Sequence, residues 1–248
     1  MGHCLELDRV LPGRRPAGRP AGYQRWRELA FVHWSFPADA VRALVPRSLE
    51  LDLWDGRAWV GLVPFRMEAT RSRWMPRFLG LDFLETNLRT YVHAGGMPGV
   101  YFFSLEASSW LAVKAARFAW GLPYFHARMD VERVGARVTY ASRRRKPAGA
   151  GGAAALELAY DVGDPLGPSE VGTLQHFLVE RYHLFVEKKG RLRRGQVHHA
   201  PYPVRSATIA SRSEGLLAAA GLPGGAKLET VHYSDGVEVE VFGPYHDV

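Results

Sequence analysis

After Pro123, every second residue carries a group with chemistry to offer: Tyr124, His126, Arg128 and Asp130. They alternate with Phe125, Ala127, Met129 and Val131, the pattern of a strand with one polar face. Two other segments repeat the pattern. In "DFLETNLRTYV", Phe83, Glu85, Asn87, Arg89 and Tyr91 share one face, and Leu84, Thr86, Leu88, Thr90 and Val92 the other. In "GVYFFSLEA", alternation groups Val100, Phe102, Ser104 and Glu106 against Tyr101, Phe103, Leu105 and Ala107. Arginine can hold a carboxylate through two parallel hydrogen bonds. Glu85 or His126 can serve as acid or base, and Tyr124 can donate to a carbonyl oxygen. The expected ligand-lining set is therefore Glu85, Asn87, Arg89, Ser104, Tyr124, His126 and Arg128, with Glu85, His126 and Tyr124 as catalytic candidates. The alternative is a sheet with its polar face in water, the usual arrangement for antiparallel strands. Acids set among arginine and tyrosine, rather than a lysine and glutamate mix, favour an internal hydrogen-bonded network. Glu85 and Arg89 would stand roughly 13 Å apart along one strand, so each is expected to find its partner elsewhere.

These strands need a scaffold. "FPADAVRALVP" reads as a short helix between two prolines, and "SSWLAVKAARFAWG" as a helix from a serine cap to Gly121. "SEVGTLQHFLVERY" and "SEGLLAAAG" read as two more helices. "LELDLWDGRAWVGLVPF" is expected to be a hairpin turning at Asp55-Gly56. "HLFVEKKGRLRRGQVHH" and "LETVHYSDGVEVEVF" are expected hairpins turning at Lys189-Gly190 and Asp235-Gly236. "RVTYASRRRK", "AALELAYDV" and "VRSATIAS" read as strands, the first two around a mobile Gly/Ala loop. Strands dominate, helices are few, and no linker or repeat divides the chain. The expected class is α+β, mostly β: a barrel or strongly curved antiparallel sheet.

Composition bounds the function. The chain has 248 residues, 47% of them hydrophobic, enough for a large core. Its single cysteine, Cys4, excludes a disulfide framework and points to a reducing compartment, so the cytoplasm is the expected location. The first 22 residues lack the apolar run of a signal peptide and are rich in Pro, Gly and Arg. They are expected to form a flexible tail, leaving residues 23–248 as one domain. No apolar stretch approaches a membrane span, and no membrane partner is expected. The net charge of +7 resides largely in the tail and in "RRRK" at Arg143–Lys146, with no nucleic-acid-binding motif beside it. There is no HExxH, P-loop, GxSxG or dinucleotide fingerprint, so neither metal nor cofactor is expected. His198 and His199 would point to opposite faces of a strand and would not chelate together. In "VERYHLF", Glu180 and Arg181 are expected to form a structural ion pair.

The segments "FVHWSFPADAVRALVPRSLELDLWDGRAWVGLVPFRM", "FLETNLRTYV", "GVYFFSLEASSWLAVKAARFAWGLPYFHARM", "FLVERYHLF", "GRLRRGQVHHAPYP" and "VHYSDGVEVEVF" resemble the YqjF-like family of bacterial proteins, a domain of unknown function. The resemblance spans roughly Trp26 to Phe242. It implies the acetoacetate decarboxylase-like fold, β-rich and barrel-like, with a central cavity. The enzyme of that superfamily forms a Schiff base through a lysine in a "WG-x-P-Lys-Lys"-like run. Here the run is "WGLPYF", so Tyr124 and Phe125 occupy the lysine positions, while Glu85 resembles the enzyme's pocket glutamate. Of only five lysines, Lys114 alone lies near in sequence, and Arg117 beside it suggests an exposed helix face. The superfamily enzyme is oligomeric, and a homodimer is expected here.

The leading reading is a protein binding a small organic ligand, carboxylate- or carbonyl-containing, in a polar barrel cavity, and acting, if an enzyme, by acid–base chemistry without an imine. The alternatives are a non-catalytic scaffold with a structural polar interior, and a nucleic-acid binder using the basic tail and loop.

Overall fold

The computed structural model describes residues 7–145, 154–188 and 190–245. Cys4, Lys146, Lys189 and the Gly/Ala loop lie outside the described residues. The strands are β1 (Gly22–Phe36), β2 (Glu50–Leu51), β3 (Ala58–Ser72), β4 (Leu81–Ala94), β5 (Met97–Ala107), β6 (Tyr124–Val134), β7 (Arg137–Arg144), β8 (Ala155–Gly167), β9 (His183–Lys188), β10 (Arg191–His198), β11 (Val204–Glu214) and β12 (Leu228–Tyr245). The helices are α1 (Ala38–Arg42), α2 (Trp110–Ala119), α3 (Leu174–Val179) and α4 (Leu216–Ala219).

All twelve strands belong to one sheet that closes on itself. One circuit runs β5–β6–β7–β8–β11–β12–β1–β3–β4 and back to β5. A second leaves β5 through β9 and β10 and rejoins at β12. The stretch β12–β1–β3–β4–β5 is therefore a wall common to both circuits. β5 pairs parallel with β6 and β9, and a parallel neighbour requires a crossover, which α2 supplies between β5 and β6. Two apolar cores lie on opposite faces of this wall. One takes Leu88 and Val92 of β4 with Val138, Leu156 and Tyr160; the other takes Phe83 and Tyr91 with Phe31, Leu105 and Phe177.

Several expected elements change on folding. β2 pairs with β4 rather than with β3, and only a Trp54–Arg57 bridge closes the Asp55-Gly56 turn. The helix read from Ser169 to Tyr182 is helical only over Leu174–Val179, beginning at the Thr173 cap. The last hairpin does not form. β12 continues through Asp235-Gly236 and stays paired with β1 on both sides, Arg27 opposite Gly236 and Leu29 opposite Ser234. The glycine serves close strand approach instead of a turn, because a Cβ there would lie 2.0 Å from the Trp26 carbonyl oxygen.

Residues 7–22, expected to form a flexible tail, make side-chain contacts with the rest of the domain. Arg9 forks onto buried Asp52 with bonds of 2.6 and 2.7 Å. Pro12 is buried, its carbonyl accepting from Gln196 Nε2 at 3.1 Å, and Arg15 Nε meets Glu240 at 2.5 Å. A buried carboxylate supplied a reason for order that composition could not show. Asp52 also receives Arg181 Nη1 at 2.7 Å, so Arg181 pairs there and not with Glu180. Burial pushes the Asp52 carboxyl up, but Arg9 and Arg181 together outweigh it and hold the group below its ordinary range.

The two arginines should not be equivalent in a urea titration, since Arg181 is 3% exposed and Arg9 22%. Arg181→Ala should cost about 3–5 kcal/mol, the usual loss when a buried pair is broken. Arg9→Ala, with Arg181 still in place, should cost about 1–2 kcal/mol. An Arg9 variant, or a chain lacking residues 1–21, as stable as the parent would return the segment to a dispensable tail.

Candidate functional site

β4 alternates strictly, so Glu85, Asn87, Arg89 and Tyr91 share the face of the second core, and all are buried. β6 begins beside β5, with Tyr124 opposite Leu105 and His126 opposite Ala107. Leu105 and Ala107 in turn oppose Asn87 and Glu85, which places Tyr124 and His126 on the same face as the β4 groups. The Tyr124 hydroxyl donates to Glu85 Oε2 at 2.8 Å. His126 is half-buried at the rim of this face.

Two expected members are elsewhere. Leu88 opposes Ser104 while Arg89 opposes Phe102, so Phe103 is an extra residue, a β-bulge. An extra residue reverses the facing of everything beyond it. Val100 and Phe102 thus join Leu105 and Ala107 on the Glu85 side, and Ser104 and Glu106 turn to the opposite side. There Ser104 donates to Glu106 at 3.1 Å, and Glu106 is paired with Arg144. Arg128 is exposed, because β6 leaves β5 after His126 and gains no neighbour on that side.

Arg89 is placed by a helix end. The last carbonyls of a helix lack intrahelical partners. Those of α3 are taken by side chains: Leu178 O accepts from Arg89 Nη2 at 3.1 Å and from the Tyr91 hydroxyl at 2.8 Å, and Phe177 O from Arg181 Nε at 2.7 Å. The Tyr91 proton is thus committed to Leu178, so the contact of 2.7 Å between its oxygen and His33 Nε2 needs the proton on that nitrogen. Burial pushes the His33 imidazolium well below its usual range, with Arg89 nearby adding to the effect, which fits a neutral ring. His33 was not among the residues singled out from sequence. Its signal is only its place between the apolar run Leu29–Val32 and Trp34. Arg89 Nε, Asn87 Oδ1 and His33 Nδ1 are buried without a partner.

Glu85 has no cation to offset its burial. Burial pushes its carboxyl up, the Tyr124 hydrogen bond opposes, and Glu106 pushes further, leaving it at about 8. It is a neutral acid at pH 7. Glu106 is also raised by burial, with Arg144 pulling against it. Two cavities bear on ligand access. One, ≈ 10 Å³, is water-sized and lies beside Arg9, Glu180 and Tyr182. The other, ≈ 640 Å³, is a surface groove whose walls include Tyr23, Arg71, Arg77 and His199. Neither of these two is lined by Glu85 or Tyr124, and both side chains are buried. His199 is buried, ring-stacked on Tyr182 at 4.7 Å, with Nδ1 2.8 Å from Ala200 O.

The family model DUF2071, described as an uncharacterized conserved protein, matches residues 23–238. The uncharacterized protein YqjF of Bacillus subtilis (strain 168) is 39% identical over 185 residues, 74% of this chain and 75% of its own. An acetoacetate decarboxylase from Legionella pneumophila superposes with a TM-score of 0.60 at 16% identity, over 99% of each chain. The enduracididine biosynthesis enzyme MppR, complexed with pyruvate, gives 0.62 at 15% identity, over 93% of this chain and 92% of its own. These likenesses establish the acetoacetate decarboxylase-like fold that the resemblance implied.

Glu85 sets a pH dependence of stability. Its carboxyl ionises near 4.5 in the unfolded chain and near 8 in the folded one. Between those values the folded state keeps a proton that the unfolded state has lost, so this contribution is full at low pH and falls away as pH rises toward 8. The loss is on the order of 4 kcal/mol. Glu85→Gln cannot ionise and should escape it. Urea unfolding at about pH 5 and about pH 9 should show the variant gaining on the parent at the higher value. Parallel stability curves for the two proteins would mean that Glu85 is charged in the fold.

Proposed function

The chain belongs to the DUF2071 family and has the acetoacetate decarboxylase-like fold, and on that premise we propose that it binds a small carboxylate or carbonyl compound against the inward face of β4. The observation that carries this reading is Glu85: a buried acid, neutral at pH 7, held by Tyr124 at 2.8 Å, with no cation of its own. A neutral carboxylic acid can donate a hydrogen bond or a proton to a carbonyl oxygen, which a carboxylate cannot. Arg89 and Asn87 follow on the same face, each with a buried polar atom still without a partner. Leaving such groups unpaired costs stability, so a ligand that completes them is favoured. Any reaction proceeds by proton transfer at Glu85 and not through an imine. Tyr124 and Phe125 cannot form one, and Lys114 lies exposed with Nζ 4.1 Å from the Trp110 ring centre.

One observation favours a non-catalytic scaffold instead. Glu85 and Tyr124 are buried, and neither of the two cavities described above reaches Glu85. On the binding reading the interior must open to admit a ligand; on the scaffold reading it never does.

Calorimetric titration with pyruvate and with acetoacetate separates the two. Binding should be detected at neutral pH and weaken above about pH 8, as Glu85 ionises. Arg89→Lys keeps the charge near Leu178 but loses the planar fork, and should weaken binding by about 1.5–3 kcal/mol. Borohydride added with acetoacetate should leave the intact mass unchanged. No heat with either probe would favour the closed scaffold, and a reduced adduct on Lys114 would restore imine chemistry.

A further inference from the structure

One end of the barrel carries large apolar side chains in water. Between β3 and β4 the chain reads "RSRWMPRFLG" from Arg71 to Gly80. Trp74 is 77% exposed, Phe78 83% and Leu79 52%. On α2, Trp110 and Leu111 are each 55% exposed and Phe118 is 88% exposed. Spacing explains the helix: positions four apart share a face, so Trp110, Lys114 and Phe118 point outward while Ala112 and Val113 turn to the core. The two segments are neighbours. The loop enters β4 at Leu81, and Ser108, just ahead of α2, is tied to Leu84 by two hydrogen bonds, Leu84 N to Ser108 Oγ at 2.9 Å and Ser108 N to Leu84 O at 3.0 Å. Leu81 and Leu84 are about 10 Å apart along the strand.

The charge within the two segments is all positive, with exposed Asp82 just beyond the loop and bonded to Ala69 N at 2.7 Å. Arg73 lies over the Trp74 ring at 3.9 Å and Lys114 over the Trp110 ring at 4.1 Å, with Arg71, Arg77 and Arg117 in the same two segments. Neither Arg71–Gly80 nor Ser109–Gly121 contains an aspartate or glutamate. A second copy docked across a two-fold axis would bring these cations against their equivalents, a like-charge contact that disfavours the interface. A surface offering negative charge above an apolar layer suits both features. Tryptophan and phenylalanine settle at the boundary between headgroups and acyl chains, and arginine and lysine meet the phosphates.

We propose that this end of the barrel docks on the anionic surface of a lipid bilayer, with Trp74, Phe78, Trp110 and Phe118 entering the interfacial layer and Arg73, Arg77 and Lys114 facing the headgroups. No membrane-crossing segment is involved, and among the described residues no helix is long and apolar enough to be one. The expectation of no membrane partner rested on that absence, which does not bear on surface docking. The docking helix also leads to the candidate site, since Arg117 Nε donates to Tyr124 O at 2.6 Å.

Co-sedimentation with vesicles tests this directly. The chain should sediment with phosphatidylcholine vesicles containing phosphatidylglycerol and bind about tenfold more weakly to phosphatidylcholine alone. Tryptophan emission should shift to the blue on binding. Trp74→Ser with Phe78→Ser should abolish sedimentation, and Arg73→Glu with Arg77→Glu should do the same with the aromatics intact. These side chains are exposed, so circular dichroism should show both variants folded. Lack of sedimentation with the anionic vesicles would overturn the proposal, as would equal binding to both compositions. So would variants that bind like the parent, or a dimer in light scattering that the substitutions dissociate without any vesicle binding.

Discussion

Taking a charge out of water costs more than almost any other event in folding, and this molecule meets that cost in different ways at its buried carboxyl groups. Asp52 is neutralised by two arginines, one from the chain's beginning and one from beyond α3. Glu106 is neutralised by Arg144 and bonded by Ser104. Glu85 has no cation and keeps its proton instead. The last two are linked. Glu85 and Glu106 sit on adjacent strands but on opposite faces, and Glu106 adds to the upward push on Glu85. Burial is the main reason Glu85 stays neutral, and Glu106 across the sheet adds to it.

The same constraint explains why α3 stops where it does. Its final carbonyls are buried, and arginine and tyrosine side chains complete them. Arg89 is therefore both a cap for the helix and a member of the polar face. A substitution there disturbs the end of α3 as well as any ligand, which is why a variant preserving its charge is the informative one.

Local alternation made much of this legible. The polar run Glu85, Asn87, Arg89 and the Tyr124 strand could be read directly, because facing within one strand depends only on neighbours. Ser104 could not be placed, since the bulge at Phe103 reverses facing through a register shift that belongs to the pair of strands and not to either one. Arg128 failed for a similar reason: its strand outlasts its neighbour. Asp235-Gly236 has the composition of a turn, yet the glycine answers to the Trp26 backbone. Arg9 and Arg181 are separated in sequence from Asp52, so neither partner carried a local signal. Pro, Gly and Arg near the beginning suggested disorder because the carboxylate that orders them lies far along the chain.

The two aromatics at the positions where the superfamily's lysines would stand now serve opposite faces of the sheet. Tyr124 bonds Glu85 on one side. On the other, the Phe125 ring lies between two guanidinium groups, Arg144 at 3.7 Å and Arg117 at 5.5 Å. A lysine at position 125 would stand close to two cations, which would lower its pKa and favour the free amine. A lysine at position 124 would meet Glu85, draw off its proton and form a buried ion pair. Such a lysine would be held charged by its partner, and a charged amine is not a nucleophile. The two positions thus offer opposite surroundings to any amine placed there, an acid at 124 and two cations at 125.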